Sequence, residues 1–242
     1  MTSRLGILLA GDLQRMGKYH ILTASLAAAL LWIAILYFID IQDITLIFPL
    51  LIFIDATSMA IILVGAVMFF ERQEGSIKTL LVSPVSKVEY SLSKSLTTVF
   101  SSVVTLLILY CYAYFYKEID LHLGILLVGV LLVALFHSLL GFILTFYSRD
   151  FTGLLMNMMK YLFVFMLPVL LEYLEILQHE LAEALIYVAP TKASMTLLLA
   201  STGEVAPWET AYALGYLGVG SVVLFWIMLK KFDQFAAQES GV

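Results

Sequence analysis

Charge is scarce in this chain. Only 13% of its 242 residues are Asp, Glu, Lys or Arg, against roughly 25% in soluble domains. Hydrophobic residues make up 62% and the mean hydropathy is +1.00. That balance excludes a soluble domain and indicates an integral membrane protein. Cysteine is nearly absent. A lone Cys111 excludes an internal disulfide and a cysteine metal cluster, and its apolar surroundings predict a small core residue. Polar and apolar residues do not alternate as a spanning barrel requires. Residues 123–136, LGILLVGVLLVALF, are continuously apolar. Helices remain, and the chain holds six runs near the ~20 residues that a spanning helix needs. No GxxxxGK[ST] phosphate loop occurs, so no nucleotide-hydrolysing site is expected here. GxSG, HExxH and EExxxR are missing as well. Asp12, Arg15 and Lys18 interrupt the first apolar run, and no cleavable signal peptide is expected.

What is present reads as an all-α membrane domain covering residues 1–242. Residues 2–19 suit an amphipathic interfacial helix. Leu5, Leu8, Leu9, Leu13 and Met16 share one face, with Arg4, Asp12, Arg15 and Lys18 elsewhere. Spans are expected near 21–39, 46–70, 95–116, 123–147, 151–173 and 209–229. Residues 172–206 are less apolar and carry Glu172, Glu175, Glu180, Glu183 and Glu204. Pro190 and Lys192 break that segment too much for a span. It predicts a re-entrant hairpin of two short helices on the outer side.

Orientation follows Lys and Arg. Six spans put both termini on one side. That side holds Arg4, Arg15, Lys18, Arg72, Lys78, Lys87, Lys94, Arg149, Lys230 and Lys231, and the other holds Lys117 and Lys192. Lys160 falls inside the fifth span and is unassigned. Both termini are therefore expected in the cytoplasm, with the protein multi-pass in the plasma membrane. Residues 71–94 then form the longest cytoplasmic loop.

That loop has the grammar of a short, bounded helix. Gly75 permits a sharp bend after the second span, and Ser76 can cap a new helix. Pro84 stops it and biases Ser83 away from helix. Ile77, Leu80 and Leu81 offer an apolar face, while Lys78 and Thr79 keep the rest soluble. Taken alone, such a helix is either a docking surface or an interfacial turn whose leucines dip into lipid.

The run FFERQEGSIKTLLVSPVSKVEYSLSKSL, residues 69–96, resembles the cytoplasmic loop of type-2 ATP-binding-cassette permeases. The matching residues are Glu71, Arg72, Glu74, Gly75, Ser76, Leu80, Leu81, Ser83, Pro84, Val85, Ser86, Glu89 and Lys94. The chain departs from the family at Ser76–Ile77–Lys78, where a Thr and an acidic residue are common. The expected topology agrees across nearly the whole chain. The resemblance implies a coupling helix, residues 76–82, seated in a groove of a separate ATPase subunit. ATP and magnesium would be bound by that subunit and no cofactor by this chain. Six spans are half of such an exporter, which implies a second copy or a sister permease. The first and fifth spans would then meet at the dimer interface and the central path.

Polar residues inside the spans offer candidate pathway sites. Asp55, with Ser58 on its face, reads as a substrate or protonation site, or as a carboxyl holding two helices together. His137, beside Ser138, could pair with Asp55 or serve structure alone. Ser93, Thr97, Ser101 and Thr105 form a hydroxyl ribbon, widened by Thr98 and Ser102, for packing or for a watered path. Asn157, Met158, Met159, Phe163, Phe165, Met166 and Pro168 would be the fifth span's share of an apolar path or simply its lipid face. Ala24 with Ala28, and Ala211 with Gly215 and Gly218, suggest close helix contacts. The leading expectation is the permease subunit of an ATP-driven exporter for a small amphipathic or apolar molecule, such as a drug, lipid or peptide. It is not an enzyme, and its partners are the ATPase, a second permease and membrane lipids, with no nucleic acid. The alternatives are an ion-coupled carrier using Asp55, for which no inverted repeat is visible, and an intramembrane hydrolase built on His137, Ser138 and Asp55.

Overall fold

Long apolar runs with few breakers become helices, and the computed structural model contains little else. It describes residues 2–38, 44–81, 83–177, 179 and 184–240, without the side chains of Thr2, Ser3, Leu46, Lys78, Leu80, Leu81 and residues 236–240. Of the expected loop between the first two spans, residues 40–43 lie outside the described residues, as do Val82, Glu180 and Glu183, while residues 44 and 45 already belong to the next helix. The helices are α1 (Thr2–Lys18), α2 (Ile21–Phe38), α3 (Ile44–Gln73), α4 (Ser76–Leu81), α5 (Lys87–Lys117), α6 (Leu123–Phe146), α7 (Phe151–Tyr161), a π-helical turn (Leu162–Met166), α8 (Leu167–Tyr173), α9 (Pro190–Leu199) and α10 (Pro207–Ser240). Among the described residues, six helical stretches are long and apolar enough to cross a membrane: α2, most of α3, α5, α6, the α7–α8 unit and most of α10.

Two helices run further than expected, for visible reasons. α5 begins at Lys87 because Ser86 forms a capping box: its Oγ accepts from Glu89 N at 3.2 Å, and Glu89 Oε2 accepts from Ser86 N at 2.9 Å. The non-helical part of the 71–94 stretch therefore shrinks to two short hinges around α4. α10 continues well past residue 229, the expected end of the sixth span, since Phe232 and Phe235 bury against α6 and α4.

α3 is the central post. Phe48, Ile52, Phe53 and Ala56 enter one core with Leu106 and Leu109 of α5, Leu126 and Val130 of α6, and Leu197 and Leu198 of α9. α6 approaches α3 closely at Gly141, where a Cβ would lie 3.0 Å from Ile61 Cα. The less buried spans are α2, the α7–α8 unit and α10. Cys111 is exposed on α5, not a core residue as its apolar run suggested. Within the chain, Gly215 and Gly218 approach nothing closely, and Ala24 and Ala211 are exposed. The close contacts fall instead at Gly65, Gly129, Gly141 and Gly220, which face α7, α9, α3 and α6.

The two ends of the bundle differ. α1 and the last turns of α10 both reach the segment that follows α4: Arg4 donates to Pro84 O at 3.1 Å, and Lys87 pairs with Asp233 at 2.6 Å. At the opposite end α9 is almost wholly buried. Pro190 opens it at a position where no N–H is needed. Lys192 pairs with Glu172 at 2.6 Å, Tyr187 donates to Glu209 at 2.7 Å, and Thr191 Oγ1 donates to Phe165 O at 2.5 Å. The last bond satisfies a carbonyl within the π turn, just before Pro168 removes a backbone donor.

Candidate functional site

The α4 end carries the densest polar constellation among the described residues. Gly75 turns the chain with φ +71°, and α4 starts at the next residue. A side chain in this left-handed conformation costs roughly 1–2 kcal/mol, so glycine suits the bend. Ile77 is buried against Tyr90 of α5 and Phe232 and Phe235 of α10. Thr79 and Pro84 are exposed, and Ser83 is half-buried. Among its described side chains, Ile77 thus anchors the short helix and Thr79 faces outward.

Above α4 lies a buried ionic knot. Lys94 Nζ of α5 sits 2.9 Å from Asp12 Oδ1 of α1 and 2.7 Å from Glu71 Oε1 of α3. Arg15 of α1 also bonds Glu71, and lies 3.5 Å from Asp12. Tyr90 donates to Glu71 Oε2 and Ser93 to Asp12 Oδ2, each at 2.6 Å. Lys94 rests 4.6 Å over the Tyr90 ring. Two acids and two bases balance, and every carboxylate oxygen is met. This is the condition under which charges can be buried without a large penalty. Arg72 reaches Arg149 O at 2.9 Å, tying the base of α3 to the turn before α7. A cavity of about 340 Å³ opens between α1 and α4 onto this knot.

Glu74 closes the knot at the surface. Its carboxylate accepts from Lys18 at 2.9 Å and lies 3.9 Å from Arg15. The Lys18 hydrogen bond, with the charges of Lys18 and Arg15 and the Ser76 hydroxyl, holds its pKa below the ordinary 4.5, against some desolvation. A depressed carboxylate stabilises the fold above its unfolded pKa, and that contribution vanishes as pH falls through the folded value. The thermal-stability gap between wild type and Glu74→Gln is therefore expected to close on acidification below pH 4.5. A melting series across that range checks it.

The sequence-derived coupling residues Glu71, Glu74, Gly75, Ser76 and Ile77 gather at this end. Asp12, Arg15 and Tyr90 were not singled out for the site. Asp12 was placed off the apolar face of α1, but it is 6% exposed. Its spacing gives the signal: it stands four residues after Leu8 and four before Met16, on the same side of the helix.

The candidate pathway residues are not brought together. Asp55 accepts from Trp32 Nε1 of α2 at 3.0 Å, and Ser58 is half-buried beside it. His137 does not reach Asp55. Its Nδ1 meets Val133 O at 2.8 Å, and its Nε2 meets Tyr161 Oη at 3.0 Å. A carbonyl only accepts, so Nδ1 holds the proton and Nε2 accepts from tyrosine. Ser138 donates to Leu135 O. No Ser–His–Asp constellation therefore forms among the described residues. Asn157 donates to Ser148 at 3.1 Å, Met159 and Phe163 are exposed, and Met166 is buried in the central core. In the ribbon, Ser25 of α2 meets Ser101 at 3.1 Å and Thr105 at 3.4 Å, so it joins helices.

Residues 3–240 match the family described as the Fluoroquinolones export permease protein family. Among curated proteins, the fluoroquinolones export permease proteins of Mycobacterium tuberculosis strains CDC 1551 / Oshkosh and ATCC 25618 / H37Rv are similar to this chain. Each is 25% identical over 227 residues, covering 93% of this chain and 93% of the relative. The family match takes in α1, α4 and the ionic knot as well as all six long helices, and agrees with the permease resemblance of residues 69–96. Six membrane-length helices and a transport family make this a multi-pass membrane protein. The chain belongs to the fluoroquinolones export permease protein family.

Proposed function

We propose that this chain is the membrane half of an ATP-driven drug exporter and that α4 is its coupling helix. ATP and magnesium are bound by a separate ATP-binding-cassette subunit that grips α4 from the cytoplasm. Both termini and α4 share that side of the plasma membrane, α1 lies along the inner surface, and residues 172–206 fold back into the outer side. Two permeases, identical or sister chains, enclose the path. The cargo is a small amphipathic drug of the kind for which the relatives are named.

The observation that carries this reading is mechanical. A force-transmitting helix must be short, sharply bounded and tied to the spans. α4 is bounded by Gly75 and Pro84, and anchored by Ile77 against α5 and α10. Directly above it the ionic knot clamps α1, α3 and α5 into one body. A push on α4 would then move three helices together. The less buried α2 and α7–α8 faces, with Met159 and Phe163 outward, suit the second permease and the apolar body of a drug.

Replacing residues 76–81 by a Gly-Ser linker of equal length tests the coupling. The variant should still insert, while permease-dependent stimulation of ATP hydrolysis is lost in the purified complex. Normal stimulation by the linker variant would contradict the proposal.

A further inference from the structure

We infer that Asp55 and Trp32 form a recognition point for the ammonium group of a cationic amphipathic cargo. The inference rests on the export reading above and names the chemical class of the cargo.

Asp55 stands eleven residues from the start of α3 and eighteen from its end, hence about 16 and 27 Å along the axis. No other acid lies so far inside a membrane-length helix among the described residues. It is 5% exposed. Its one partner there is the Trp32 indole N–H, and its second oxygen has none. Every other buried acid among the described residues differs. Asp12 and Glu71 are met by Lys94 and Arg15, and Glu89 by its own capping box. A carboxylate deep in a membrane protein is costly and is normally paired with a cation. Among the described residues no cation is supplied, which leaves the place of a counter-charge open to a ligand.

The surroundings fit an amine. Trp32 offers the best aromatic face for a cation beside the carboxylate, and it is half-buried. Ile54, Ser58 and Ile62 form the half-buried line of α3 at four-residue spacing, one step from Asp55. The carboxylate therefore borders the less covered side of α3, behind α2, one of the less buried spans. An ammonium could reach the free oxygen there, with its apolar body along α2.

The test uses a matched pair of probes. Norfloxacin carries a basic piperazine amine; N-acetylnorfloxacin does not, and both keep the carboxylate. Equilibrium binding is measured on the detergent-purified permease. Wild type should bind norfloxacin at least about tenfold more tightly, the lower range for a close charge pair. Asp55→Asn, which keeps the side-chain shape and an acceptor for Trp32, should bring the two affinities together by weakening norfloxacin alone. Asp55→Glu should retain the preference. Trp32→Leu, a second variant should Asp55→Asn fold poorly, should reduce the preference several-fold. Equal affinities in wild type, an unchanged preference in Asp55→Asn, or an equal loss for both probes would overturn the assignment. Energised efflux from cells co-expressing the ATPase separates the two claims. Amine-selective binding without efflux would sink the export reading and leave the site standing. Efflux of both probes without selectivity would do the reverse.

Discussion

Lys94→Met is expected to destabilise the permease by about 3–5 kcal/mol, the range for removing one partner of a buried ion pair. The substitution nearly conserves volume, so packing alone does not account for such a loss. Asp12 loses its 2.9 Å cation and keeps only Ser93 and a more distant Arg15. Glu71 keeps Arg15 and Tyr90. The damage should therefore centre on Asp12. Asp12→Asn in the same chain removes the stranded charge and should recover about half of the loss. Thermal unfolding in detergent, run on both single variants and the double, gives the coupling directly. Additive effects would show that Lys94 and Asp12 do not form the pair described. The apolar alternative also has a physical meaning. A hydrophobic plug at this position could be as stable as the ion pairs, but charges met from three helices fix which helix sits where.

Gly141→Val carries the other large effect. A Cβ at Gly141 would lie 3.0 Å from Ile61 Cα and 3.1 Å from Ile61 O. Those are backbone atoms of the central helix and cannot rotate away. α3 and α6 must separate, at a cost of about 1–3 kcal/mol for overpacking. Gly65 is the control. A Cβ there meets the Leu154 side chain, which can change rotamer. Gly65→Ala should cost less than Gly141→Val in the same melt, and the opposite order would contradict the helix contact.

Much of this was legible in the sequence because membranes narrow the options. Uninterrupted apolar runs can only be helices there, so the six spans and their order followed from length and hydropathy. The bend before α4 was readable because Gly75 and Pro84 each act locally on the backbone. Side-chain partnerships were not readable. Nothing in sequence spacing ties Asp12 to Lys94, which are far apart in the chain and meet only after α1 folds back along α5. His137 and Asp55 looked like natural partners, yet a tyrosine on α7 and a tryptophan on α2 satisfy them separately. Small residues misled for a related reason. A glycine marks a close approach only when it faces another helix, and Gly215 and Gly218 face none in this chain. Cys111 erred likewise, because an apolar neighbourhood in a membrane helix does not distinguish core from lipid face.

The central claim is that an ATPase subunit holds α4. Thr79 is exposed beside the buried Ile77, so a photo-crosslinking amino acid placed there reports what lies beneath the helix. In cells expressing the permease with the ATP-binding-cassette subunit proposed as its partner, illumination should join the two chains, and an equivalent probe at Thr202 of the opposite end should not. Adducts at Thr79 with lipid alone, or labelling of that position by an impermeant reagent from outside intact cells, would contradict the account.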